Sequence, residues 1–262
     1  NAGRGCDQRD RPRSLGASAA VALASRMSAT LAARYPRLWP ETIRALIVHS
    51  AEWTPAMEQR FPGRKKQQSI RNKLRCFGFG VPSLDRALFS ASNDATLIIE
   101  QEIQPFDFRV DEKGSSDYVT RDMHVHSLPW PEQLLRELDD REVELQVTLS
   151  YFIEPSPGQR GWKYRHRYPS FGLRFDMKTS TESEDQFRTR INGAAREENE
   201  KATSSGDGDN WRLGPRLRGH GSIHSDRWVG PAIELADKNA IAVYPSIGWW
   251  KERPQLGRWD KK

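Results

Sequence analysis

Cysteine is scarce in this chain. Only Cys6 and Cys76 occur among 262 residues, too few for a disulfide-stapled scaffold or a Cys-rich zinc site. Long apolar runs are absent. The longest stretches, such as Ala45 to Val48, fall far short of the roughly 18 residues a membrane-crossing helix needs. No Met opens the chain and no export signal is visible. The first 13 residues are polar, carry Arg4, Arg9, Arg11 and Arg13, and have no apolar period, which reads as a fragment of something longer. Few cysteines and no visible signal favour the cytoplasm. A phosphate-cradling glycine loop is also lacking, because Gly78-Phe79-Gly80 has none of the remainder of a dinucleotide fingerprint.

What is present is ordinary for a globular protein: 36% hydrophobic and 29% charged residues, enough for one large domain or two small ones. Charge is uneven. Residues 1–92 carry 16 Lys/Arg against 6 Asp/Glu, and residues 93–262 carry 25 against 29. The split marks a composition boundary near residue 92. A basic first part attracts acidic partners, or it is a solvated face.

Residues 17–35 read as a helix of high propensity, rich in Ala, with Leu23, Met27 and Leu31 on one buried face. Gly16 suits the sharp turn before it, and Pro36 ends it. A second helix starts at Pro40, with Glu41 in its first turn and Ile43, Leu46 and Ile47 on its apolar face. Trp39 occupies the capping position, so that cap is missing or replaced. Residues 54–73, with Pro55, Pro62, Gly63 and Arg64-Lys65-Lys66, read as a polar surface loop. A sharp turn at Cys76-Phe77-Gly78-Phe79-Gly80-Val81-Pro82 precedes a short helix from Leu84 to Ser90.

Beyond residue 93 the period changes to two. Thr96–Glu102, Met123–Leu128, Glu142–Phe152, Gly172–Met177 and Ala240–Trp250 read as strands, most cleanly Val143 to Leu149. Residues 182–200 read as an exposed charged helix around Phe187 and Ile191, and Ser204 to Asn210 as a loop. Short strands with Gly/Pro turns favour a β-sandwich or jelly roll. The expected fold is thus a mainly helical α/β part over 1–92 and a mainly β domain over 93–262.

Ser18, in Gly16-Ala17-Ser18-Ala19-Ala20, is the first candidate for chemistry. A serine at the start of an Ala-rich helix has unpaired backbone N–H groups beside it and the positive end of the helix dipole. Both favour a developing oxyanion, and small neighbours let a carbonyl approach. The bland alternative is an Ala-rich helix that happens to contain Ser.

Three segments in order sharpen this. Gly16 to Ala22 resembles the nucleophile motif Gly-Thr-Ser-x-Ala-x-Pro of subtilisin-like serine proteases. Tyr35 to Leu46 resembles the proline-ended helix and following helix of that family. Cys76 to Leu88 resembles its closing Gly-x-Gly turn and final short helix. Ala17 stands where the family has Thr, and Ala22 where most members have Pro. The resemblance covers about residues 14–91 and is nearest to larger bacterial subtilases with an appended β-domain. It implies that Ser18 is the acyl-forming nucleophile of a peptide-bond hydrolase, with polypeptide as substrate. It also implies that the triad Asp and His and the oxyanion Asn precede Ser18 in the missing N-terminal part of the catalytic domain. The 262 residues alone are then expected to be inert. No cofactor and no metal are implied, and no Asp-rich loop argues for calcium.

Other titratable residues have plainer readings. His49, near Ser50 and Glu52, reads as a core or capping side chain. His124 and His126 alternate on one strand face and would make a metal pair, but no third ligand has suitable spacing. His220 and His224 read as loop and strand polar groups. Asp139-Asp140 and Glu197-Glu198 read as solvated pairs.

A second class of function is binding. Arg160-Gly161-Trp162-Lys163-Tyr164-Arg165-His166-Arg167-Tyr168 interleaves basic and aromatic residues, as a strip that stacks bases and holds phosphates would. Trp249-Trp250-Lys251-Glu252-Arg253 would add aromatic surface. The alternative to nucleic-acid or protein binding is a sheet edge whose amphipathic side chains cover the core.

Overall fold

A computed structural model describes residues 16–63, 67–93, 95–110, 116–156, 169–196, 210–246 and 248–252. The chain divides into two compact units, Asn1–Glu100 and Gln101–Lys262.

The first unit is helical. It contains α1 (Gly16–Arg34), α2 (Pro40–His49), α3 (Pro55–Arg60), α4 (Gln67–Phe77) and α5 (Leu84–Ser92). Its core joins the end of α1 to α2 and α5: Leu31, Ile43, Leu46 and Ala87 are buried, with Tyr35, Ile47, Leu84 and Leu88 packed around them. Tyr35 closes this cluster by donating its hydroxyl to Leu88 O at 3.0 Å. Trp39 gives α2 no side-chain cap. Glu100 replaces it, accepting from Trp39 N at 2.7 Å and from the Thr42 hydroxyl at 2.5 Å.

Two expectations fail in this unit. Residues 54–73 are not a loop. Thr54 caps α3 by accepting from Met57 N, Pro55 fits its first turn, and α4 buries Ile70 and Lys73. Lys73 is fully enclosed because Glu58 accepts its ammonium and Trp53 lies under it, 5.0 Å from nitrogen to ring centre. The apolar face assigned to α1 is also mostly uncovered. Leu31 is buried, but Leu23 is 60% exposed and Val21 66%.

The sharp turn forms where the glycines suggested. Gly80 has φ 110°, and a Cβ there would meet Glu52 O at 2.2 Å. That close approach lets Glu52 and Val81 exchange backbone hydrogen bonds of 3.1 and 2.8 Å.

The second unit contains β1 (Phe106–Val110), β2 (Ser116–Thr120), β3 (His124–Ser127), α6 (Glu132–Leu138), β4 (Glu142–Ser150), β5 (Gly172–Met177), α7 (Glu184–Arg196), α8 (Pro215–Arg218), β6 (Ile223–Pro231), α9 (Ala232–Asp237), β7 (Ala240–Ser246) and α10 (Trp249–Glu252). All described pairings are antiparallel. β1 pairs with β2, β4 with β6, and β7 lies between β3 and β5. These three small sheets with interspersed helices make a mixed α/β arrangement, and they do not establish a sandwich or jelly roll.

The alternation of β4 carries through. Its register with β6 runs from Glu142 opposite Pro231 to Ser150 opposite Ile223. Val143, Leu145, Val147 and Leu149 line the face that packs on a core of Phe175, Trp211, Trp228, Leu235 and Ile241. Residues 96–102, expected as a strand, are extended but join no ladder among the described residues. The helix at 184–196 is present but not simply exposed: Phe187 and Ile191 are buried against Ala240, Ala242 and Tyr244 of β7.

Candidate functional site

Ser18 is the third residue of α1, so it lies in the first helical turn. Amide groups in that turn have no intrahelical acceptor, which leaves them free to meet an oxygen anion. Residues 16–26 are exposed throughout, and the first charged side chain of the helix is Arg26. The start of α1 is therefore a bare cylinder of Gly, Ala, Ser, Val and Leu rather than the interior helix that its composition suggested. No hydrogen bond or ion pair of the Ser18 hydroxyl is formed among the described residues.

The other candidates scatter. His49 ends α2. His124 and His126 do share one side of β3, with ring centres 6.1 Å apart. His124 Nδ1 meets Gln101 Oε1 at 2.5 Å. Burial, and then the neighbouring His124, push His126 below its usual pKa. No group of three metal-ligating residues forms among the described residues. Asp139 and Asp140 are exposed, and Asp139 ends α6 with φ 50°. Glu197-Glu198 and Arg160 to Tyr168 lie outside the described residues.

Trp249 and Trp250 overturn the aromatic surface expected of them. They are 2% and 4% exposed. Trp249 donates its indole N–H to Glu154 O at 3.0 Å, and Trp250 donates to Glu154 Oε2 at 3.3 Å. Trp250 also packs on Phe171 with ring centres 5.2 Å apart. Both are core side chains whose polar tips have found partners.

Sequence reasoning missed a buried ionic chain in the second unit. Its order is Glu182, Arg190, Asp176, Arg218 and Asp226. Arg190 donates to Glu182 at 2.8 Å and to Asp176 at 2.7 Å. Arg218 lies 3.6 Å from Asp176 and 3.6 Å from Asp226. Its guanidinium is held between Phe175 and Trp211, 4.3 and 4.6 Å from their ring centres, and it donates to Phe175 O at 3.1 Å. That carbonyl belongs to β5, an outer strand of its sheet. Asp226 accepts from Leu213 N and Gly214 N, while burial pushes its carboxyl above the usual range. Burial also opposes ionisation of Glu182, but hydrogen bonds from Arg190 and Thr179 outweigh it and hold that carboxyl low. The sequence signal was faint: single Asp and Arg residues inside otherwise apolar strands, at Arg174, Asp176 and Asp226.

Comparison with known proteins supplies the class. The model of the subtilase family, a peptidase family, matches residues 12–80. That span holds Ser18, α2 and the Gly78–Gly80 turn, so the chain carries a subtilisin-like region over part of its length. No curated protein matches. No solved structure matches.

Proposed function

We propose that this chain is part of a subtilisin-like serine endopeptidase, with Ser18 as the nucleophile that forms the acyl-enzyme. The single observation that carries the reading is the family match over residues 12–80, within which Ser18 begins α1. In such a mechanism Ser18 Oγ attacks the scissile carbonyl, a His takes its proton, and an Asp orients that His. First-turn amides of α1 are suited to the oxyanion. The base and its orienting carboxylate would come from residues outside these 262, in the remainder of the catalytic domain. The uncharged, uncovered start of α1 supports that partner, since eleven consecutive exposed residues with so little polarity call for a covering protein surface. The second unit would be its accessory domain.

Loss of base and orienter costs on the order of 10⁶ in turnover, so the 262-residue chain alone is expected to be inert. The test is fluorophosphonate labelling of the full-length parent beside its Ser18→Ala version. Labelling that disappears in the variant supports the proposal. A folded parent that takes no label, or labels equally without Ser18, refutes it.

A further inference from the structure

The second unit contains a hollow that the peptidase reading does not use. It measures about 340 Å³ out to its solvent-facing mouth, and Arg174, Asp176, Arg218, Gly219, His224 and Tyr244 line it. Three of these side chains carry unmet hydrogen-bonding capacity. Arg218 is 5% exposed, yet its Nη1 has no hydrogen-bond acceptor, since Asp226 Oδ2 stays at 3.6 Å. Arg174 and the Tyr244 hydroxyl form no hydrogen bond or ion pair among the described residues. Arg190 and Arg218 each have carboxylates within ion-pair distance, and Arg174 has none.

Asp176 cannot supply the missing acceptor. Its Oδ1 already receives Met177 N at 2.9 Å, and its Oδ2 receives Arg190 at 2.7 Å. His224 adds no negative charge. Its Nε2 lies 3.1 Å from Gly221 O, a carbonyl, so Nε2 carries the proton and donates. Nδ1 is then a bare, buried nitrogen with no partner. Buried donors left unpaired are costly, and guanidinium donors are best met by a planar oxygen pair. A dianion would be repelled by Asp176 on the hollow's wall, whereas a singly charged group matches the one unpaired arginine.

We infer that this hollow is a binding site for a single carboxylate, held by Arg174, Arg218 Nη1 and the Tyr244 hydroxyl. The carboxylate belongs to a peptide, either at its chain end or on an acidic side chain. The site is independent of Ser18 and of the peptidase reading.

The test uses the 262-residue chain at pH 7. Sodium acetate is titrated against sodium chloride at matched ionic strength, with thermal unfolding and the NMR signals of the His224 ring as readouts. Saturable, acetate-specific shifts are expected. Arg174→Gln should weaken them about tenfold, the worth of one charge-assisted hydrogen bond. This side chain lies outside the Arg190–Asp176–Arg218 chain, so the variant should fold, as circular dichroism would show. Tyr244→Phe gives a second, milder loss. N-acetylglycine and an N-acetyl aspartyl amide then separate a chain-end carboxylate from a side-chain one. Acetate acting no more than chloride, an unchanged response in Arg174→Gln, or inorganic phosphate binding better than acetate would each overturn the assignment.

Discussion

Arg190 donates Nη1–H to Asp176 Oδ2 at 2.7 Å, and in doing so ties α7 to β5. The same guanidinium reaches Met177 O at 2.9 Å and Glu182 at 2.8 Å, so it closes the segment between strand and helix on itself. Burial opposes its charge, but Glu182 and Asp176 outweigh that and raise its pKa. Asp176 depends on this partner, because it is only 5% exposed.

Arg190→Ala should therefore cost about 3–5 kcal/mol, since it leaves a buried carboxylate uncompensated. Arg86→Ala is the contrasting case. Arg86 meets Glu52 at 3.4 Å with both side chains nearly half exposed, so that ion pair adds little. Its two donations to Ser50 O, at 3.0 and 2.8 Å, make a smaller cost of about 1–2 kcal/mol the expected outcome. Urea unfolding of the two variants checks the order. Equal losses would mean that the Arg190 chain is not a stability determinant.

Much of this organisation is legible in the sequence, and the failures have physical causes. The helix ends at Pro36 and Pro40 and the Gly78–Gly80 turn follow from single residues with fixed backbone demands. Alternation in β4 is read easily because one face of that strand packs on apolar side chains. β6 hides for the opposite reason. His224, Ser225 and Asp226 are buried polar residues whose partners lie far away in sequence, so no local pattern announces them. The α3–α4 hairpin was obscured because its central contact is Lys73 with Glu58, a charged pair in place of an apolar one. Ser18 was readable as a motif but not as a site, since the groups that would complete it do not meet it among the described residues.

His224 makes the second unit sensitive to pH. Burial is the main reason its pKa falls to about 4, with Arg218, Arg174 and His220 adding repulsion and the Gly221 hydrogen bond opposing. An unfolded imidazole titrates near 6.5, so as pH falls below that value the unfolded chain takes up a proton that the folded one refuses. Stability contributed by neutral His224 is complete above about pH 6.5 and is lost progressively toward about pH 4. Between about pH 6.5 and 5, where few carboxylates titrate, the expected loss is on the order of 2 kcal/mol. His224→Gln should flatten that part of the stability profile, measured by denaturant unfolding at each pH. A slope unchanged in the variant would assign the effect elsewhere.

Gly80 and Gly78 offer a test of close approach against conformation alone. Both have positive φ, 110° and 59°. A Cβ at Gly78 meets nothing within 4 Å, whereas one at Gly80 would meet Glu52 O at 2.2 Å and Trp53 N at 2.8 Å. Gly78→Ala should cost about 1 kcal/mol for the left-handed backbone. Gly80→Ala should cost clearly more, about 2–3 kcal/mol, because the Glu52–Val81 pairing must also open. Thermal unfolding with faster amide exchange at Glu52 and Val81 in the second variant alone would bear this out. Matching losses at the two glycines would show that the contact with Glu52 contributes nothing.

Leu31 and Leu23 lie two turns apart on α1 but in opposite environments, 0% and 60% exposed. Leu31→Ala removes a side chain packed with Ile43, Leu46 and Ala87, so a loss of about 2–5 kcal/mol is expected. Leu23→Ala in the same 262-residue chain should change stability by no more than about 0.5 kcal/mol. In the full-length parent the second value is expected to rise toward the first, because a covered leucine pays the same cavity cost wherever its cover comes from. Unfolding of both variants in both chain lengths reads this directly. If Leu23→Ala stays neutral in the parent, the exposed start of α1 is not the surface on which the rest of a catalytic domain closes, and the reading of Ser18 as a nucleophile loses its structural support.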